Sequence, residues 1–247
     1  ILLYLLACSC YLALATQCAH ARRLPALSFV LLAAALAGHG FALAGAMQSE
    51  EGLRFGVSIV LSLTLWLAML IYGIEHIFTP LHPLLRVAAP IAALCCVLPA
   101  ILPGQPRPLP HESWMVSAHI IVAMLAYALF TLAIFHALLI VLAERALHGA
   151  QPLAETEHPP LLLLERLLFR LVGTAFVFLT LTLGSGLLFA ENLFGKPADW
   201  SHRTLFGVAA WALFAILLLG RRLRGWRGRT AIRWLLAGFI LLLVTYA

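Results

Sequence analysis

Charged residues are scarce in this sequence. Asp, Glu, Lys and Arg make up 11% of its 247 residues, against 63% hydrophobic ones. With a mean hydropathy of +1.01, the chain lacks the polar surface that a water-soluble domain of this length must present. Alternation of apolar and polar residues at strand period is also missing, which argues against a transmembrane barrel. There is no P-loop, no G-x-S-x-G and no H-E-x-x-H, so the sequence offers none of the common hydrolase or nucleotide-binding signatures. The five cysteines, Cys8, Cys10, Cys18, Cys95 and Cys96, form no C-x-x-C pair and match no zinc spacing. All lie in apolar runs, where they read as small packing residues, so thiol–disulfide chemistry is not expected of this chain.

What remains is a series of long apolar runs separated by short polar breaks. Runs of about 18 or more apolar residues predict membrane spans. Helices are the expected form, because backbone N–H and C=O groups in lipid must be satisfied within the segment. The expected fold is therefore all-α: a polytopic transmembrane helical bundle of about eight helices, forming a single transmembrane domain over 1–247. The spans are expected at 1–19, 25–46, 55–74, 84–103, 113–143, 168–190, 204–220 and 230–247. The first is no ordinary signal peptide, since its positive charges, Arg22 and Arg23, follow the apolar stretch.

The net charge of +6 belongs to the membrane and implies no nucleic-acid partner. Of the 16 basic residues, 12 fall in alternate loops: Arg22 and Arg23, Arg86, the connection from Arg145 to Arg170, and the run from Arg221 to Arg233. Cytoplasmic loops collect Lys and Arg, so these loops are expected inside and both termini outside. Within the inner connection, 144–170, leucines alternate with charges over Leu161 to Arg170, which predicts an amphipathic helix at the interface leading into span six. His148, His158, Glu155 and Glu157 in this connection read as a solvated linker.

Ten histidines is a high count for so apolar a chain. His20, His76, His82, His111, His148 and His158 fall in loops or at span ends, where a half-polar ring is comfortable. His136 lies late in span five, roughly 25 Å along the helix from His119 at 1.5 Å per residue. Three others share one layer. His39 in span two and His119 in span five each lie roughly 10 Å below the outer boundary, and His202 ends the outer loop before span seven. Ionisable groups at lipid depth are costly and mark functional sites. The competing explanation is a neutral imidazole hydrogen-bonded across helices.

A shared ligand for these rings should suit neutral imidazole in a dry place. Zinc usually takes cysteine or carboxylate partners, and no carboxylate lies in these spans at that depth. Haem iron accepts two axial imidazoles, and its macrocycle fits between helices. Span two is rich in small residues around His39, from Ala33 to Ala46, and span six carries Gly184, Ser185 and Gly186. Such residues serve close helix packing or make room for a flat ring. The outer loop, 191–203, adds Phe194 and Trp200 as aromatic surfaces and Lys196 and Arg203 as cations able to meet propionates. An interfacial tryptophan with ordinary loop charges would look the same.

Residues 184–219, GSGLLFAENLFGKPADWSHRTLFGVAAWALFAILLL, and 114–130, WMVSAHIIVAMLAYALF, resemble the haem-handling part of the CcsA/CcmC/HemX cytochrome c assembly superfamily. The likeness covers about 110–220; the first hundred residues are similar only in hydropathy and span count. The tryptophan-rich motif of the family's best-known members is reduced here to Trp200, with Asp199 before it and Ser201, His202 and Arg203 after it. The chain therefore resembles most the HemX/YpjD-like branch. The resemblance implies an outer-face haem site using His119 and His202; His39 rests on depth alone. Together these observations lead to a haem-binding membrane protein of cytochrome c assembly or haem handling, non-enzymatic, in the bacterial cytoplasmic (inner) membrane. Its cofactor is expected to be non-covalent haem b on His119 with His39 or His202. Lipid and a cytochrome c assembly or other membrane subunit are the expected partners. A cofactor-free regulatory or scaffold subunit is the alternative. A small-molecule transporter is disfavoured by the lack of paired acid–base groups at mid-bilayer and of matched broken helices.

Overall fold

The computed structural model describes residues 2–19, 25–49, 52–79, 81–107, 114–148, 160–188, 190 and 202–245. Eight helices have defined bounds among them: α1 Leu2–Ala19, α2 Pro25–Met47, α3 Val57–Phe78, α4 His82–Ile101, α5 Trp114–His148, α6 Leu161–Leu188, α7 His202–Arg224 and α8 Gly228–Val244. The architecture is a polytopic helical bundle, as its apolar runs predict, with one small strand ribbon added. Six helices, α2 to α7, are long and apolar enough to cross a membrane. The outer two, of 18 and 17 residues, are shorter.

Three details differ from the expected spans. Phe55, expected to open span three, instead ends a short strand of residues 52–55, and the helix begins at Val57. That strand, β2 (Gly52–Phe55), pairs antiparallel with β1 (Gln48–Ser49) and with β3 (Gln105–Arg107). The register sets Leu53 opposite both Gln48 and Arg107. Strands of two to four residues are too short to display a period of two, so the sequence pattern does not reveal them. Gly104 lets this ribbon close: a Cβ there would stand 2.8 Å from Ile59 Cδ1 and 2.9 Å from the Phe55 carbonyl carbon. The second difference is that α5 runs on to His148. The third is that Leu161–Leu188 is one unbroken helix, so the segment read as an interfacial helix and span six are a single element. No proline interrupts that stretch, and a lone glycine such as Gly173 is tolerated inside a helix.

The described chain groups into two compact units, residues 1–109 and 110–247. In the first, α1 packs on α2 and α4, and α3 packs on α4. Buried Ala88, Ala89, Ala92 and Ala93 make the smooth face of α4, and Ala7, Tyr11 and Leu14 face inward from α1. Small residues of this kind let helices approach where apolar burial from water gives no drive. Pro90 and Pro99 lie inside α4; in a membrane-spanning helix neighbouring helices and local adjustment accommodate the lost amide.

In the second unit α5 lies along α6, α7 contacts both α6 and α8, and α8 also touches α5. Phe130 of α5 stacks on Phe214 of α7 with ring centroids 4.0 Å apart. Gly238 of α8 lies beneath the same Phe214, where a Cβ would stand 2.7 Å from Cε1. Large apolar side chains such as Phe41, Phe78, Leu162, Val177 and Ile240 remain on the outside of both units. In water such surfaces would drive association; lipid solvates them.

Candidate functional site

The second unit gathers one polar site from the ends of four helices. His119 lies near the start of α5, Ser185 near the end of α6, Arg203 and Thr204 on the first turn of α7, and Thr245 just beyond α8. Antiparallel neighbours bring these ends to the same level. The arginine-rich ends, including Arg145, Arg166 and Arg221 to Arg229, lie at the opposite ends of the same helices.

His119 is half-buried, and its Nδ1 lies 2.8 Å from Ser185 Oγ. The Ser185 hydroxyl in turn donates to the Thr182 carbonyl at 3.1 Å. A carbonyl can only accept, so the serine proton is directed there. Ser185 Oγ therefore accepts from His119, which fixes the proton on Nδ1 and makes Nε2 the basic nitrogen. Gly186 lies beside the ring: a Cβ there would stand in ordinary contact with His119 Cε1, at 3.5 Å.

Beside the ring is a cleft of ≈ 290 Å³ lined by His119, Ala123, Tyr127, Leu183, Arg203 and Gly207, among others. Its walls are mostly apolar, with hydroxyls from Thr182, Thr204 and Thr245 and a guanidinium at Arg203. The Tyr127 hydroxyl bonds Thr245 Oγ1 at 2.7 Å, tying the deep side of the cleft to the end of α8. The donor set is thus one oriented imidazole, one cation and an apolar surround. An oriented imidazole and a cation in an apolar surround are groups that an apolar, acid-bearing ligand could use. Among the described residues no group of three or more His, Cys, Asp or Glu converges to hold a bare metal ion.

His202 is the first residue of α7 and is exposed, as is Arg203. Trp200, Phe194 and Lys196 lie outside the described residues, as does most of the 191–203 loop.

His39 belongs to the first unit and is fully buried. Its Nε2 lies 2.9 Å from Ser62 Oγ on α3, and its Nδ1 lies 3.3 Å from the Tyr11 hydroxyl on α1. Both ring nitrogens are therefore engaged, and the imidazole joins three helices. Trp66 of α3 reinforces the seam: its Nε1 donates to the Leu36 carbonyl at 2.8 Å, and Gly40 lies against its ring. His136, also buried, donates from Nδ1 to the Leu132 carbonyl one turn back at 2.9 Å.

Nothing in the sequence singles out Ser185, Tyr127 or Thr245 for any chemistry. Ser185 stands out only as a small residue between two glycines. Counting residues from the outer span ends puts it in the same layer as His119, which is the one signal that links them.

Comparison with known proteins gives a consistent identity. The chain is 31% identical to "Inner membrane protein YpjD" of Escherichia coli K12 over 128 residues, 52% of this chain and 48% of that protein. It is 33% identical over 132 residues to an uncharacterized 28.8 kDa protein of Azospirillum brasilense, covering 53% and 49%. It is 30% identical over 83 residues to the cytochrome c biogenesis protein CcsA of Gloeobacter violaceus, covering 34% and 25%. The chain thus spans at most about half the length of these curated relatives. No solved structure matches it. The family described as "Cytochrome C assembly protein" matches residues 1–247, and with six spanning helices the chain is an integral membrane protein that belongs to the cytochrome c assembly protein family.

Proposed function

We propose that this protein binds one non-covalent b-type haem at the outer face of the bacterial inner membrane and serves cytochrome c biogenesis or haem handling there. The observation that carries this reading is the hydrogen-bonded chain His119–Ser185–Thr182, which holds the imidazole by Nδ1 beside an apolar cleft with Arg203 on its wall. A ligating histidine is characteristically held by a hydrogen bond from its other nitrogen. Family membership supports the same reading, as does the name of the CcsA relatives. The twelve-to-four division of basic residues supports the outer location.

In this reading His119 and His202 are the side chains that would hold the haem iron, His202 standing at the head of α7 next to Arg203 of the cleft wall. His39 ranks behind His202, because ligation by His39 would break one of its two buried hydrogen bonds, a cost His202 does not carry. Arg203 would pair with a propionate, and Lys196, Trp200 and Phe194, which lie outside the described residues, are the further propionate and ring partners this reading calls for. Bound iron supplies a redox-active, ligand-exchanging centre. The chain itself orients the imidazole through Ser185, and Arg203 would neutralise an acid group of the ligand. A volume of ≈ 290 Å³ is just under the usual range for small-molecule sites, so a haem held by His119 would extend beyond the cleft.

The test is the visible spectrum of protein purified from haem-replete cells. A Soret band is expected. Its absence both on purification and after haem reconstitution overturns the proposal and favours a cofactor-free scaffold subunit.

A further inference from the structure

We infer that the turn between α7 and α8 is a binding site for the headgroup of an anionic phospholipid. The turn is built as a rigid platform. Gly225 and Gly228 take positive φ, 64° and 52°, which permits a tight reversal. Trp226 folds back over Gly220, where a Cβ would clash with its ring at 2.4 Å, and stacks on Trp234 with centroids 5.3 Å apart. The Glu165 carboxylate accepts the Gly228 N–H at 3.1 Å, satisfying an amide that the first turn of α8 leaves open. Arg221 is turned inward: it donates to the Trp226 carbonyl at 3.2 Å, lies 4.0 Å from Glu165 and sits 4.5 Å over the Phe169 ring.

These contacts use the two carboxylates described in this unit, since Glu144 faces Arg229 at 3.8 Å. Arg222, Arg224 and Arg227 are exposed, and no described carboxylate lies within ion-pair distance of them. Three exposed guanidiniums within six residues of one fixed turn supply the donors that a phosphate takes. Its occupant is an amphiphile because of what adjoins it. Ile216, Leu219 and Leu223 of α7 are exposed at helical spacing, so an apolar strip runs directly into the arginines. A phosphate with an acyl chain matches both halves, whereas free phosphate uses only one. The turn ends a helix long and apolar enough to cross a membrane, the place where a leaflet presents its phosphates, and each arginine near an anionic surface strengthens attraction about fivefold.

The experiment uses the full chain in a zwitterionic detergent. Thermal unfolding and native mass spectrometry are followed while phosphatidylglycerol, phosphatidylcholine or inorganic phosphate is added. Phosphatidylglycerol alone is expected to raise the melting temperature and to remain bound in the gas phase. Replacing Arg222, Arg224 and Arg227 together by Gln should weaken this by roughly a hundredfold, and each single Gln variant by about fivefold. The single variants decide the matter if the triple variant does not fold. Equal stabilisation by phosphatidylcholine, or full retention in the Gln variants, overturns the site. An equal effect of inorganic phosphate overturns the lipid as its occupant.

Discussion

Ser185 accepts a hydrogen bond from His119 because its own proton is committed to the Thr182 carbonyl. The consequence is directional. With Nδ1 holding the proton, Nε2 is the nitrogen that can bind a metal. If this relay positions the haem ligand, Ser185→Ala should weaken haem affinity about 10- to 100-fold, the usual cost of losing a partner to a ligating histidine. Ser185→Thr should restore most of it. Haem titration monitored at the Soret band measures both, and an unchanged Ser185→Ala would show that the relay does not act on the ligand.

His119→Ala should abolish or strongly shift the haem spectrum, since the metal loses its direct bond. His136→Ala should leave the spectrum nearly unchanged, because that ring is tied to its own helix at Leu132 and lies roughly 25 Å from His119 along α5. The two variants, compared at equal protein yield, separate ligand loss from general damage to α5.

The helical architecture is legible in the sequence because hydropathy directly reports the solvent of each span. Even so, α6 does not show itself as one helix, since the charges at Glu165, Arg166 and Arg170 resemble a break in an apolar run. In the fold Glu165 is held by Gly228 and Arg221, so this charge is accommodated inside the helix and does not end it. His119 is legible because an ionisable ring at lipid depth is rare. Ser185 is not, because a small hydroxyl residue serves packing as readily as hydrogen bonding, and its partner is 66 positions away. His39 passes the same depth criterion as His119, yet its surroundings differ. Only the fold reveals that Tyr11 and Ser62 reach it from two other helices.

Gly238 should be intolerant of a side chain. A Cβ would stand 2.7 Å from Phe214 Cε1 and 2.8 Å from its Cζ, and Phe214 is fully buried and stacked on Phe130. The ring has no room to yield. Gly238→Ala should cost about 1–3 kcal/mol, the usual range for overpacking, seen as a lower melting temperature in detergent. Gly45, where an added Cβ would meet nothing within 4 Å, is the matched control and should tolerate alanine.

The orientation can be checked independently of the cofactor. A periplasm-dependent reporter fused after Pro197 should be active, and the same reporter fused after Arg224 should be silent. The reverse pattern would put the cleft on the cytoplasmic face and the arginine turn outside.

His39 and His202 differ in what their loss should do, and this decides the second ligand. His39→Ala leaves the buried Tyr11 hydroxyl and Ser62 hydroxyl without their common partner and opens a space at the junction of α1, α2 and α3. A buried polar group left unsatisfied costs about 1–3 kcal/mol, so the melting temperature should fall while the haem band survives. His202→Ala removes an exposed side chain from the first turn of α7 and should barely change the melting temperature. Because His202 is proposed as the axial partner of His119, the same variant should convert a six-coordinate spectrum to a five-coordinate one. The two readouts therefore cross: stability changes for one variant and coordination for the other. A coordination change in His39→Ala with none in His202→Ala would transfer the second ligand to His39 and show that its hydrogen bonds to Tyr11 and Ser62 give way when haem binds.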